Sequence, residues 1–239
     1  MHLLIVVTLF SSHNILHAQE NYKSIELFDS IRHRAIPVAL YVSATSKDAK
    51  ALVIISHGYE GKNTAYSFIA NDLAAKGYVV ASIQQELPGD PPLATDGVLT
   101  VTRKSNWQNG VDNIRFVIEA LQRQGIATKG KGSIVIGHSN GGDLSMLFAM
   151  EYPELTSAVL SLDNRRMPLP RTAKPRVCSI RSSDQQPDEG VLPDTKQQLD
   201  LQMVIGSVPG LEHNQMWDGA TEEQKSKMLA LIAECLKGN

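Results

Sequence analysis

Residues Ser133-Ile134-Val135-Ile136-Gly137-His138-Ser139-Asn140-Gly141-Gly142 decide how this chain is read. Ser133–Ile136 is a short apolar strand segment running into Gly137, and Gly141 to Met150 has the pattern of a helix. The turn between them carries a G-x-S-x-G motif. Small residues on both flanks permit a sharp strand-to-helix turn that holds the serine hydroxyl in the open. Such a string alone is common by chance. The strand before it and the helix after it make Ser139 a candidate nucleophile on a nucleophile elbow.

Outward from that turn the chain keeps alternating. Upstream, Ile25 and Leu27, then Ile36, Val38, Leu40 and Val42, repeat with period two around the turn Ser30–Arg34. This predicts an antiparallel pair at a sheet edge, with Pro37 on an edge strand where a missing N–H is tolerated. Ala51–Ile55 and Tyr78–Ile83 predict strands, and Thr64–Lys76 between them a helix stopped by Gly77. Gln84–Ser105 reads as a long Pro/Gly/Asp loop, followed by a helix over Asn106–Gln124 stopped by Gly125. Downstream, Ala158–Leu162, Arg176–Ile180 and Leu201–Val208 predict strands, and Glu222–Leu236 a closing amphipathic helix. The expected class is α/β: a mostly parallel central sheet, an antiparallel N-terminal hairpin, and helices on both faces. One domain is expected over 19–239. The connection from Asp163 to Pro175 is near the minimum for a parallel crossover and leaves no room for a cap domain.

The chain has 239 residues, 42% of them hydrophobic, enough for one sizeable core. Lys and Arg total 23 against 25 Asp and Glu, a net charge of −2, which argues against a nucleic-acid partner. Two cysteines, Cys178 and Cys235, are too few for a disulfide scaffold or a four-cysteine zinc site, and whether they pair stays open. No metal motif is present. Gly125-x4-Gly130-Lys131 lacks the Ser/Thr of a phosphate loop and precedes a strand. Leu3–Phe10 is an apolar run too short to span a bilayer, followed by polar residues up to Ala18-Gln19. Residues 1–18 therefore read as a signal peptide, and the chain is expected to be exported, periplasmic or secreted, with no stable membrane anchor.

A serine hydroxyl needs a base. Behind such an elbow the order along the chain is serine, acid, histidine. Of seven histidines only His213 follows Ser139, in the loop after Leu201–Val208. Two aspartates follow strands at the edge of the sheet where ligands bind, Asp163 and Asp184. Asp184, after the penultimate strand, is the preferred acid; Asp163 is the alternative, and Asp188 is third. The oxyanion requires N–H donors. Asn140 N–H, directly after the nucleophile, is one. The loop Ser56-His57-Gly58-Tyr59-Glu60-Gly61 supplies the other, with Tyr59 N–H preferred and Glu60 N–H as alternative. His57 and His138 read as residues that hold these loops. Arg165 and Arg166, with Arg103, make the expected rim mildly cationic, which suggests an anionic group on the substrate; pairing with nearby acids is the plain alternative.

On these residues the chain resembles the α/β-hydrolase superfamily, and within it the compact dienelactone-hydrolase-like and lipase-like serine esterases. Asp29–Val38 looks like the opening hairpin of that group, Ser56–Gly61 like its oxyanion loop and Gly137–Gly142 like its elbow. Dienelactone hydrolases proper use a cysteine where this chain has Ser139, so their substrate is not carried over. The resemblance implies a small-molecule ester substrate, no cofactor, and cleavage through a Ser139 acyl-enzyme with Ser139, His213 and Asp184 as triad. An acyltransferase, thioesterase or peptidase would use the same triad; a non-catalytic binding module on this fold is the remaining class.

Overall fold

The computed structural model describes residues 21–42 and 51–237; the expected signal peptide lies outside the described residues. Strand runs such as Leu52–Ser56 are buried along their whole length, which only a sheet covered on both faces can achieve. The eight strands are β1 (Lys23–Asp29), β2 (Arg34–Tyr41), β3 (Leu52–Ser56), β4 (Val79–Ile83), β5 (Ser133–His138), β6 (Thr156–Leu162), β7 (Arg176–Arg181) and β8 (Val204–Ser207). Their order in the sheet is β1-β2-β4-β3-β5-β6-β7-β8. β2 is antiparallel to both β1 and β4, and every pairing from β4 to β8 is parallel.

The helices are α1 (Ser67–Ala75), α2 (Leu99–Thr102), α3 (Lys104–Arg123), α4 (Asn140–Glu151), α5 (Thr195–Asp200) and α6 (Glu222–Cys235). The side chains of each strand alternate between two cores. Ile54, Val135, Val159 and Val177 meet α3 and α4 through Ile114, Val117, Leu144 and Phe148. Val53, Ile136, Leu160 and Ile180 meet α1 and α6 through Ile69, Leu73, Met228 and Ile232.

Several expectations shift. Pro37 is not on the edge strand: β1 is the edge and β2 the second strand. Pro37 is tolerated because its carbonyl accepts the Gln84 N–H at 2.9 Å, just past the last β2–β4 pair, Val38↔Ile83. The nitrogen of an antiparallel residue faces the same side as its carbonyl, so the absent N–H costs one bond at the last rung beside β4 and none to β1. The loop after β4 holds the short α2, and α3 begins at Lys104 rather than Asn106. α5, capped by Asp194 with Gln197 in a reciprocal box, lacks the apolar stripe that periodicity detects. β6 and β7 are adjacent and parallel, joined by a connection without a helix.

Parallel register sets the strand ends level. Ser56 pairs with Gly137, Gly137 with Ser161, and Leu162 with Ile180. The loops after β3, β5, β6 and β7 therefore leave the same carboxyl edge together.

Cys178 of β7 and Cys235 at the end of α6 form a disulfide, the pairing that the sequence left open. It ties the last helix to the sheet across a sequence separation of 57 residues. Closing a loop of that size in the unfolded chain is worth about 2–4 kcal/mol. Replacing both cysteines by alanine should lower the melting temperature by several degrees, read by calorimetry with and without reductant. A melting temperature unchanged by both treatments would contradict the structural role.

Candidate active site

Ser139 occupies a backbone conformation that side chains rarely adopt, φ 54° and ψ −119°, between the end of β5 and the first residue of α4. The turn is packed backbone against backbone. A Cβ on Gly137 would lie 2.0 Å from the Gly141 carbonyl oxygen, and one on Gly141 would lie 2.3 Å from the carbonyls of Ser56 and His57. Only glycine fits at either position. The strained serine is held by its own N–H, which donates to the Leu162 carbonyl at 2.9 Å.

His213 opens a short 3₁₀ turn after β8 and is buried. Its Nε2 is 2.9 Å from Ser139 Oγ. Its Nδ1 is 2.6 Å from Asp163 Oδ2. The acid expected at Asp184 is thus not at the ring. Asp184 is solvent-exposed, and its carboxylate accepts the backbone N–H of His213 at 2.7 Å. The physical reason lies in sheet order and a local bend. β6 lies directly beside β5, and Asp163, at its end, has a left-handed φ of 56° that turns the chain sharply. Asp188, the third choice, faces Arg166 at 3.3 Å.

Asp163 is fully buried and richly bonded. Ser182 donates its hydroxyl at 2.6 Å and its N–H at 3.1 Å, and Arg181 Nη2 lies 2.9 Å away. Burial works to raise its pKa, but the hydrogen bonds from His213 and Ser182 and the Arg181 charge outweigh it and hold the carboxyl below its ordinary value. Arg181 and Ser182 carry no motif and were invisible in the sequence.

The loop Ser56–Gly61, expected to bind the oxyanion, is ordered by His57. Its Nε2 accepts the Gln85 N–H at 2.9 Å, so the proton is on Nδ1, which donates to the Gly58 carbonyl at 2.7 Å. The Gly61 N–H donates to the same carbonyl at 2.9 Å. Across the trans peptide the Tyr59 N–H points to the opposite side. Glu60, whose N–H is the alternative donor, lies on the same loop and lines the cleft beside Ser139. Asn140 is clamped by Trp107 Nε1, which donates to its Oδ1 at 2.8 Å, and its Nδ2 donates to Asn106 at 2.9 Å. Its N–H, in the first turn of α4, has no acceptor within the helix.

Ser139 and His213 open onto a cleft of about 480 Å³ walled by Tyr59, Glu60, Lys62, Ala65, Tyr66 and Trp217. Trp217 keeps 44% of its surface exposed there, an unusual cost for so large an apolar side chain. Arg165 and Arg166 do not line this cleft. Their backbone N–H groups bind the buried Asp143 carboxylate, while their guanidinium groups reach Gln185 and Asp188. Of the two, Arg166 pairs with an acid, Asp188, while Arg165 bonds the neutral Gln185 amide. Among the described residues no cluster of His, Cys, Asp and Glu is arranged to hold a metal ion, and no helix is long and apolar enough to cross a membrane.

Residues 47–170 match the family described as serine aminopeptidase, S33. Among solved structures, a fungal esterase from Rhizomucor miehei superposes with a TM-score of 0.63 at 10% identity, over 90% of this chain and 82% of that one. A ferulic acid esterase from Streptomyces cinnamoneus gives 0.60 at 19% identity, over 83% of this chain and 76% of that one. A dienelactone hydrolase from Anabaena variabilis gives 0.60 at 16% identity, over 91% and 98%. At these identities the likeness is one of fold. No curated protein matches the sequence.

Glu86 was not legible in the sequence. Burial pushes its carboxyl up from 4.5 to about 7, against the pull of the Glu60 N–H, and its Oε2 lies 3.6 Å from His57 Nδ1. The folded state thus holds this proton more tightly than the unfolded chain does. Stability contributed at Glu86 is fully present below about pH 4.5 and is lost as pH rises through about 7. Glu86→Gln should therefore gain melting temperature relative to wild type at pH 8 but not at pH 4.5. An identical difference at both pH values would refute the assignment.

Proposed function

The chain belongs to the serine aminopeptidase S33 family of α/β hydrolases, and from that premise we propose that it cleaves carboxylic esters through an acyl-enzyme on Ser139. The observation that carries this reading is the hydrogen-bonded line from Ser139 Oγ to His213 Nε2 at 2.9 Å and from His213 Nδ1 to Asp163 Oδ2 at 2.6 Å. Ser139 Oγ attacks the ester carbonyl while His213 takes its proton. Asp163, kept ionised by its bonds, fixes the ring tautomer and stabilises the imidazolium. The N–H groups of Tyr59 and Asn140 receive the oxyanion. Collapse breaks the bond to the alcohol, which leaves with the proton from His213. A water molecule then repeats the sequence on the acyl-serine, and the carboxylic acid departs. No step requires a cofactor. The partly apolar cleft and the esterases among the structural neighbours support a small-molecule ester as substrate.

A second reading is an aminopeptidase. The family description favours it, and so does the Glu60 carboxylate on the cleft wall, which could hold a substrate ammonium group. Comparing kcat/KM for matched acyl esters and aminoacyl anilides decides between the two, with the esters expected to be faster.

A fluorophosphonate should label the native protein at Ser139 and leave Ser139→Ala unlabelled. Asp163→Asn should lower kcat by about 10³–10⁴, because the ring then takes the wrong tautomer. Asp184→Asn, which touches only the His213 backbone, should cost far less. If Asp184→Asn is the more damaging at equal stability, Asp163 is not the acid.

We also propose export. The apolar run Leu3–Phe10, the Ala18-Gln19 junction and the Cys178–Cys235 disulfide support an oxidising compartment. Mass spectrometry of the protein from its native host should find a chain beginning at Gln19. An intact Met1 in a cytosolic fraction would exclude export.

A further inference from the structure

Tyr66 and His138 take no part in the chemistry above, yet each touches the loops that do. Tyr66 immediately precedes α1, and its hydroxyl is 2.7 Å from His138 Nδ1. The Gly58 N–H donates to the same hydroxyl at 3.2 Å. On the other side of the ring, His138 Nε2 is 3.0 Å from the carbonyl oxygen of His213. His138 and Tyr66 are both buried.

These contacts admit one arrangement of protons. A carbonyl can only accept, so His138 Nε2 carries a proton and donates it to His213. Burial, and secondarily the His213 ring inclined at 41° with its centroid 4.9 Å away, pushes His138 down to about 3, so the imidazole is neutral and its Nδ1 is an acceptor. Tyr66 must then donate its proton to Nδ1 and accept from Gly58. Burial holds the phenol above its ordinary pKa, so that proton stays in place. The line runs from Gly58 N–H through the Tyr66 hydroxyl and the His138 ring to the His213 carbonyl, with every donor and acceptor used.

Each group on this line neighbours a reacting one. Gly58 precedes Tyr59, whose N–H is the proposed oxyanion donor. His138 precedes Ser139. The last acceptor is the carbonyl of His213 itself. The line is also closed. Asp218, five residues past His213, accepts the N–H groups of Ser67 and Phe68 at 3.0 Å each, which pins Tyr66 to the base loop from behind.

We propose that Tyr66 and His138 are positioning residues that set the oxyanion loop, the elbow and the base loop in one register through this proton-ordered line. The inference rests on the esterase reading for its kinetic consequence but not for its structural one. Removing the Tyr66 hydroxyl leaves a buried donor at Gly58 and a buried acceptor at His138 without partners, and both ends of the line can then relax. A displacement of about 1 Å at reacting groups can cost as much as about 10² in rate.

The test uses the full chain. In wild type, ¹⁵N NMR at pH 7 should find His138 neutral with its proton on Nε2; the opposite tautomer or an imidazolium overturns the proposal whatever the protein catalyses. Tyr66→Phe, which keeps the ring, should lower kcat for a small ester tenfold or more with KM nearly unchanged. The rate of fluorophosphonate labelling should fall in parallel, and the Gly58 amide should lose protection from exchange. His138→Gln, which retains one donor and one acceptor, should recover part of the rate lost in His138→Leu. A folded Tyr66→Phe with wild-type kcat, labelling rate and Gly58 protection would overturn the relay. If wild type hydrolyses no ester and takes no fluorophosphonate, the esterase reading fails instead, and the tautomer and Gly58 exchange still decide the relay.

Discussion

The tight contact of three backbone segments around Ser139 governs the rest of the molecule. Gly141 lies against the carbonyls of Ser56 and His57, and Gly137 against that of Gly141, at distances that exclude any side chain. This contact forces β3 and β5 to be neighbours and sets their ends level, which is the register Ser56↔Gly137. It also drives Ser139 into its left-handed conformation, a strain that the surrounding hydrogen bonds must hold. The loop Ser56–Gly61 is consequently a direct continuation of the strand that packs on the elbow. That loop and Ser139 are positioned by the same contact.

Around that point the protein buries several ionisable groups, and each is handled differently. Asp163 is kept ionised by four contacts from three neighbours, Ser182, His213 and Arg181, which suits a group facing an imidazole ring. Asp143 uses backbone N–H groups from Arg165, Arg166 and Met167 to hold the loop after β6 over the start of α4. Glu86 is left with one buried oxygen unpaired and is raised toward neutrality instead. Burial works to raise all three carboxyls; at Asp163 the bonds from His213 and Ser182 and the Arg181 charge outweigh it, whereas at Asp143 the backbone donors do not, and its carboxyl stays above its ordinary value.

The cleft is framed by segments far apart in the chain. Tyr59 is tied through its hydroxyl to the Leu93 N–H at 3.1 Å, and Trp217 through its indole N–H to the Asn214 carbonyl at 2.9 Å. With their polar ends committed to backbone, both present mainly apolar surface to whatever binds beside Ser139.

Much of this was legible in the chain itself. The elbow is encoded by neighbours: an apolar strand, two glycines that must be glycine, and a helix all lie within one short stretch. The parallel sheet follows from apolar runs separated by helices of period 3.6, and His213 from being the single histidine after the serine. These are properties of local sequence or of chain order, and reading them needs no third dimension. The carboxylate that meets the His213 ring was different. Asp163 and Asp184 both follow strands at the same edge, and nothing in their surroundings along the chain separates them. The choice is made by the position of β6 beside β5, by the bend at Asp163, and by partners such as Ser182 and Arg181 that only folding brings near. The same holds for Pro37, for the partners of Arg165 and Arg166, for Glu86, and for the Tyr66–His138 line. Each depends on contacts between residues far apart in the chain, and such contacts leave no periodic trace in the sequence.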